Sequence, residues 1–372
     1  MPSEVVDLFT ELAALPSPPG EERAVADSVI RYLRDLGLTV DEDDAGSKVG
    51  SNIGNLYCRL EPTDGGSPIF LCAHLDTVPP TAAIEPVLED GVIRNGAGTI
   101  LGADNKSAVA AMLEGARRVL AENRPHGGIE LLFTPKEEVG LLGAAAFDHE
   151  RLHARLGYVY DQAAPIGEVI LGAPYSRAMQ VRFHGRAAHS GMYPEEGRSA
   201  IAAAARAISD LRLGRVDEET TANVGIIQGG TAGNIIPEWC SLDAEARSHD
   251  EHKLEQLVQE MVDAFAFAAG LEDCEVETKI SKSYKGYRFK TEDPVVRIAH
   301  TALERSGYAP TYALSGGAAD ANVFNERGLA CLNLANGMQD IHTSDERITV
   351  EDLEGMVEVT LALVDVARDA DA

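Results

Sequence analysis

The sequence is short of positive charge. Its 372 residues carry 32 Lys and Arg against 60 Asp and Glu, a formal charge of −28. Such a balance repels phosphate backbones and anionic lipid surfaces and favours cations, so neither nucleic acid nor a membrane is an expected partner. Aromatic residues make up only 5%, with a single Trp, and say little about binding surfaces. The five cysteines, Cys58, Cys72, Cys240, Cys274 and Cys331, are odd in number, scattered and mostly set in apolar runs. They read as buried free thiols, which fits a reducing compartment better than a disulfide framework. No uninterrupted apolar stretch is long enough to cross a bilayer, and the acidic, amphipathic N-terminus lacks the basic start and apolar core of a signal peptide. A cytoplasmic location is expected.

What is present describes an ordinary globular chain, 45% hydrophobic and 25% charged, and longer than one core usually supports, so two domains are expected. Helical periodicity runs over about 5–15 and 21–36, broken by Pro16, Pro18, Pro19 and Gly20. Strands are expected at 55–60, 69–73, 129–134 and 157–160, with an Ala-rich helix over 106–120 in which Lys106 reads as an exposed side chain. Strands alternating with helices predict an α/β three-layer domain with a mainly parallel sheet, whose ligands sit beyond the carboxyl ends of the strands. Near Pro174 the pattern changes to β-α-β-β-α-β, the order of an α+β ferredoxin-like unit. The expected organisation is therefore a discontinuous catalytic domain, 1–174 with 284–372, and an inserted domain, 175–283. After the insertion come a helix over 294–306, a Gly-rich turn at Ser315-Gly316-Gly317, a strand over 329–334 and a final helix capped by Thr349 and Asp352.

The chemistry gathers at strand ends. The run IFLCAHLDTV, 69–78, stops abruptly at His-Leu-Asp, so His74 and Asp76 share one face of a buried strand. A carboxylate beside an imidazole is the pairing that orients a metal-bound His. Collecting the other strand-end groups gives Asp104, Glu138, Asp161 and His342 as candidate ligands beside His74, with Glu137 adjacent. Two imidazoles and three carboxylates suit two zinc-type ions sharing one Asp and a water. Adjacent Glu137 and Glu138 cannot comfortably point at one metal. One would bind while the other faces the water as general base.

The motifs HLDTV, GADNK, PKEEVG, YDQ, AAHSG, GGTAGNIIP and a late isolated His resemble, in order and over nearly the whole chain, those of the co-catalytic dizinc exopeptidases. That family includes peptidase T, carboxypeptidase G and succinyl-diaminopimelate desuccinylase. The resemblance implies that His74 and Asp161 hold one zinc (cobalt or manganese being alternatives), that Glu138 and His342 hold the other, and that Asp104 bridges them. It also implies Glu137 as base, Asp76 as the residue orienting His74, and a cis peptide between Asp104 and Asn105. In the inserted domain, which would act as a lid and as the surface of a homodimer, it implies His189 as a donor to the developing oxyanion and Asn234 and Arg247 as substrate contacts. Family members that are aminopeptidases usually have Asp where this chain has Asp161, so the resemblance points to release of the N-terminal residue of short peptides by a metal-bridging hydroxide. A carboxypeptidase or N-acyl-amino-acid amidohydrolase is the nearest alternative. A non-catalytic relative is a further one, against which the intact Glu137 argues. The segment between His74 and Asp104 is shorter than in the tripeptidases, which makes the chain peptidase T-like and leaves strict tripeptide specificity open.

Overall fold

In the computed structural model, which describes residues 3–370, apolar strands alternate with amphipathic helices. Helices α1 (Glu4–Ala13) and α2 (Arg23–Asp35) bury their apolar stripes and lead to β1 (Val40–Glu42), α3 (Ala45–Val49), β2 (Leu56–Leu60) and β3 (Ile69–His74). A hairpin of β4 (Pro86–Glu89) and β5 (Val92–Asn95) follows, then α4 (Ala103–Ala121), β6 (Ile129–Thr134), α5 (Leu142–Ala146), β7 (Leu156–Gln162) and β8 (Glu168–Ala173). Next come β9 (Tyr175–His184), α6 (Ala200–Asp210), β10 (Gly214–Arg215), β11 (Thr220–Gly229), β12 (Trp239–Ser248), α7 (Glu251–Leu271) and β13 (Glu275–Tyr284). The remainder is β14 (Tyr287–Arg288), α8 (Pro294–Arg305), β15 (Thr311–Leu314), α9 (Asp320–Glu326), β16 (Ala330–Ala335), β17 (Arg347–Thr349) and α10 (Val350–Asp369). These elements form two units, one running up to Gly172 and resuming at Arg288, the other Ala173–Tyr287.

The first unit is built on a sheet of order β1-β2-β6-β3-β7-β16-β8-β14, with β15 added on β8. Its central strands β6, β3, β7 and β16 are parallel, while β1 and β2 pair antiparallel at one edge. Alternation along β3 explains the layers. Ile69, Leu71 and Ala73 enter the large core formed with α1, α2, α4, α8 and α10, whereas Phe70 lies on the other face, its ring 4.9 Å from that of Phe324 in α9. Both faces are therefore covered, as a parallel sheet requires, and β3 is buried along its full length. At the start of α10 the Thr349 hydroxyl accepts the Asp352 N–H at 2.9 Å, the expected cap.

The second unit is a five-stranded antiparallel sheet, β10-β11-β12-β9-β13, packed against α6 and α7. Leaving aside the two-residue β10, this is the ferredoxin-like strand order. Its core is separate, drawn from Met179, Val181, Phe183, the alanines of α6, and Leu254, Met261 and Phe265 of α7.

Several elements escape the sequence pattern. Two helices do precede the sheet, but the pattern misses β1 and α3, which lie between α2 and β2. The Pro-containing segment after Thr77 carries the β4–β5 hairpin, which β17 extends to three strands. The periodicity also misses β8, a short run bounded by Gly167 and Pro174.

Candidate metal centre

Because β6, β3 and β7 run parallel in close register, their carboxyl ends open on one rim of the first unit. His74 is the last residue of β3, opposite Thr134 at the end of β6, and Asp161 is the second-to-last residue of β7. Asp104 follows the Gly-rich approach to α4. The Asp104–Asn105 peptide is cis, and both residues are non-helical, so regular helix begins at Lys106. His342 comes in on the loop after β16, at a left-handed φ of 63°.

Asp104 divides its carboxylate between the two imidazoles. Oδ1 is 3.2 Å from His74 Nε2, and Oδ2 is 3.1 Å from His342 Nε2. His74 Nε2 is also 3.8 Å from Asp161 Oδ1, and His342 Nε2 is 3.0 Å from Glu138 Oε1. A tetrahedral ion with ligands about 2.0–2.1 Å away separates its ligand atoms by about 3.3 Å. The spacings therefore fit two adjacent positions that share Asp104. Ligand atoms of His74, Asp104 and Glu138 lie within 4.8 Å of one another, as do those of His74, Glu137 and Asp161. Glu137 and Glu138 thus diverge, Glu137 toward the His74–Asp161 side. The donor set also asks for cations, since two imidazoles face four carboxylates and unpaired charge is costly to bury.

Asp76 lies beside His74, as its sequence position suggests, and holds a second part of the site as well. His74 Nδ1 is 2.9 Å from the Asp76 main-chain carbonyl and 3.5 Å from its carboxylate. The carboxylate accepts the N–H groups of Glu137 at 2.9 Å and Glu138 at 3.1 Å, fixing the turn that presents both glutamates.

Three more anchors were not evident in the sequence. The buried Glu22 accepts the Lys136 N–H at 3.2 Å, and the buried Glu346 accepts those of Leu101, Gly102 and Asp104. Asn333 brackets Asp161, accepting its N–H and donating to its carbonyl, both at 2.9 Å. Lys106, expected to be exposed, is fully buried and donates to the Leu15 carbonyl at 2.5 Å, because α4 is surrounded by protein along most of its length. Ser315 turns its chain locally, its hydroxyl accepting the Gly317 N–H at 3.0 Å.

The electrostatics follow from crowding. Burial alone would lower the His74 pKa, yet hydrogen bonds to Asp104, Asp161 and Asp76 carry it well above the ordinary imidazole value. His342 is pushed up to about 10 by its bonds to Asp104 and Glu138. Burial raises Glu137 well above the usual carboxylate range, opposed by His74 and reinforced by Asp161, Asp320 and Glu138. Burial, with Asp104 nearby, raises Asp161 to about 7. Asp104 is held below the usual range: burial opposes its charge, and the two imidazoles more than offset that. Protons therefore stand in for dications in this arrangement, and a bound cation would reverse the balance.

In the second unit His189 and Asn234 belong to neighbouring loops, joined by the Ser190 N–H to the Asn234 carbonyl at 3.1 Å. Both residues are exposed. His189 Nδ1 accepts the Gly191 N–H at 3.2 Å, which puts its proton on Nε2. Arg247 is not brought to them. It lies at the far end of β12, opposite Ser176, about 25 Å along the strand from the Trp239 end where those loops emerge. There it donates to Glu245 at 3.0 Å.

Fold and rim together define a metallopeptidase. Residues 55–175 match the model of peptidase family M28, and residues 172–271 match that of the peptidase dimerisation domain. The crystal structure of aminopeptidase PepT from Bacillus cereus is 39% identical, covers 98% of both chains and superposes with a TM-score of 0.89. That of a tripeptidase from Staphylococcus aureus is 34% identical over the whole of both chains, with a TM-score of 0.94. Uncharacterized protein YqjE of Bacillus subtilis (strain 168) is 39% identical over 98% of each chain. The chain belongs to the peptidase T-like family of metal-dependent exopeptidases.

Proposed function

We propose that this protein is an aminopeptidase that releases the N-terminal residue of short peptides, tripeptides or similar, with two divalent ions, most simply zinc, with cobalt or manganese able to replace it. The observation that carries this reading is the Asp104 carboxylate, one oxygen on each of two imidazoles, with the buried Glu137 beside it. In the proposed assignment His74 and Asp161 hold one ion, Glu138 and His342 the other, and Asp104 both. When bound, such a pair polarises the scissile carbonyl and makes water more acidic. Asp76 keeps Glu137 and Glu138 aimed by binding their main-chain N–H groups. Glu137 takes a proton from the attacking water and returns it to the departing amine, a task for which a desolvated carboxylate is suited. The protonated Nε2 of His189 is a donor fit for the developing oxyanion, which gives the inserted unit the role of a lid. Asn234, in the loop beside His189, is its proposed substrate contact; Arg247, at the opposite end of β12, is not placed to share that role. The dimerisation-domain match supports a homodimer formed through that unit.

Asp161 and the excess of carboxylates around the rim favour a substrate with a free, cationic α-amino group. The test compares a tripeptide with its N-acetylated form and identifies products by mass spectrometry. Release of the first residue from the free peptide alone is expected. Efficient cleavage of the acetylated peptide at its C-terminal residue would instead make the protein a carboxypeptidase, and removal of the acyl group would make it a deacylase.

A further inference from the structure

The loop from Leu101 to Asn105 presents the bridging carboxylate, yet it has no cap of its own. Gly102, at the N-cap position of α4, has φ 79° and offers no side chain, and Asp104 and Asn105 depart from helical geometry. Three of its N–H groups are satisfied from 242 to 245 residues away. Glu346 Oε2 accepts from Leu101 and Gly102, both at 2.8 Å, and Oε1 accepts from Asp104 at 3.0 Å. The side chain is 1% exposed. Three donors from one loop are what make a buried carboxylate tolerable at that place.

Glu346 also lies four residues after His342 in a tightly braced turn. The Thr343 hydroxyl donates to the Asp340 carbonyl at 2.6 Å and accepts the Asp345 N–H at 3.2 Å, and Gln339 and Arg347 pair main chain to main chain. One carboxylate thus joins the loop of one imidazole to the main-chain N–H of the residue that both imidazoles face. We propose that Glu346 is a positioning residue, setting the separation of His342 from Asp104 and thereby the affinity of the ion that these two share with Glu138. This rests on the dinuclear assignment above. The other half of the site, His74 and Asp161, is held by different anchors, Asp76 and Asn333. Because Asp104 serves both ions but the His342 loop serves only one, the effect should be larger at the His342 side.

The decisive variant is Glu346→Gln. A carboxamide has a single acceptor oxygen, so it can serve the Leu101 and Gly102 donors or the Asp104 donor but not both, and its NH2 group must face an N–H. Metal-free wild type and variant are titrated with Co2+, following the visible absorption bands, with thermal melting of the metal-free forms as the control for folding. Loss of such an outer partner typically costs about 10–100-fold in metal affinity. The expected result is that loss at one of two cobalt sites, a clearly smaller loss at the other, and activity restored at saturating cobalt. Two unchanged affinities, with or without a lower melting temperature, would overturn the proposal and leave Glu346 a structural residue; so would equal weakening at both sites. Should Glu346→Gln fail to fold, Glu346→Asp, which keeps the charge but shortens the reach, is titrated in its place, and failure of both to fold would likewise overturn it. Wild type that takes up no cobalt would refute the dinuclear assignment itself, a result distinct from either.

Discussion

Where the first unit buries charge, the second buries almost none. His74, Asp76, Asp104, Lys106, Glu137, Asp320 and Glu346 are all buried in the first, whereas the buried polar side chains described in the second are three hydroxyls, Ser176, Thr220 and Ser248. Two of those three satisfy each other, Thr220 and Ser248 at 2.9 Å. Burying an ion without a partner costs several kcal/mol, so charge persists inside a fold where main-chain donors or a ligand compensate it. The first unit spends its interior on fixing carboxylates at strand ends. The second packs an alanine-rich and aromatic core and keeps its polar groups of interest, His189 and Asn234, on exposed loops. Buried charge is thus confined to one of the two cores among the described residues.

The sharpest way to break this contrast is Glu137→Gln, which keeps size but cannot accept a proton. With both metals retained, kcat is expected to fall on the order of 10²–10⁴-fold in steady-state assays. An undiminished kcat would mean that the buried charge of the first unit is not catalytic. His189→Ala tests the other side. Removing an exposed donor that acts only in the transition state should lower kcat by about 10²-fold with little change in KM. A change confined to KM would make the loop a ground-state binder.

The smallest expected effect is also the most specific to the first unit. His342, raised to about 10, carries its proton at neutral pH in the metal-free protein, and metal ligation requires that proton to leave. Metal affinity should therefore rise with pH up to about 10, by roughly tenfold per unit for each proton displaced. Calorimetry at pH 7 in buffers of different protonation enthalpy counts those protons. Their number should be the same for His189→Ala, and uptake without proton release would remove His342 from the ligand set.

The chain yields these two cores unevenly to sequence reading. His74, Glu137, Glu138 and Asp161 stand out because they close apolar strand-like runs, Asp104 and His342 because their motifs resemble those of the dizinc exopeptidases, and the strand order of the second unit follows from its alternating runs. Glu22, Asn333 and Glu346 stay hidden because their work is done on main-chain N–H groups at separations of 114, 172 and up to 245 residues, and any acid or amide in a loop looks alike in one dimension. Lys106 misleads for a related reason: α4 is buried nearly all round, so no polar face distinguishes an inward lysine from an outward one. The β4–β5 hairpin, with strands of four residues each, falls below the length at which alternation is informative.

The place of β16 between β7 and β8 carries a consequence in time. A ribosome delivers His74, Asp104, Glu138 and Asp161 first, then the entire second unit, and only afterwards β16, His342 and Glu346. At the usual 5–20 residues per second His342 appears about 10–40 s after Asp161. During that interval β7 has no parallel neighbour on one side and Asp161 lacks the amide of Asn333 that brackets it. A nascent chain therefore holds most of the proposed ligand groups without the frame that aims them, and hydrolytic competence would be deferred until the inserted unit has already been made.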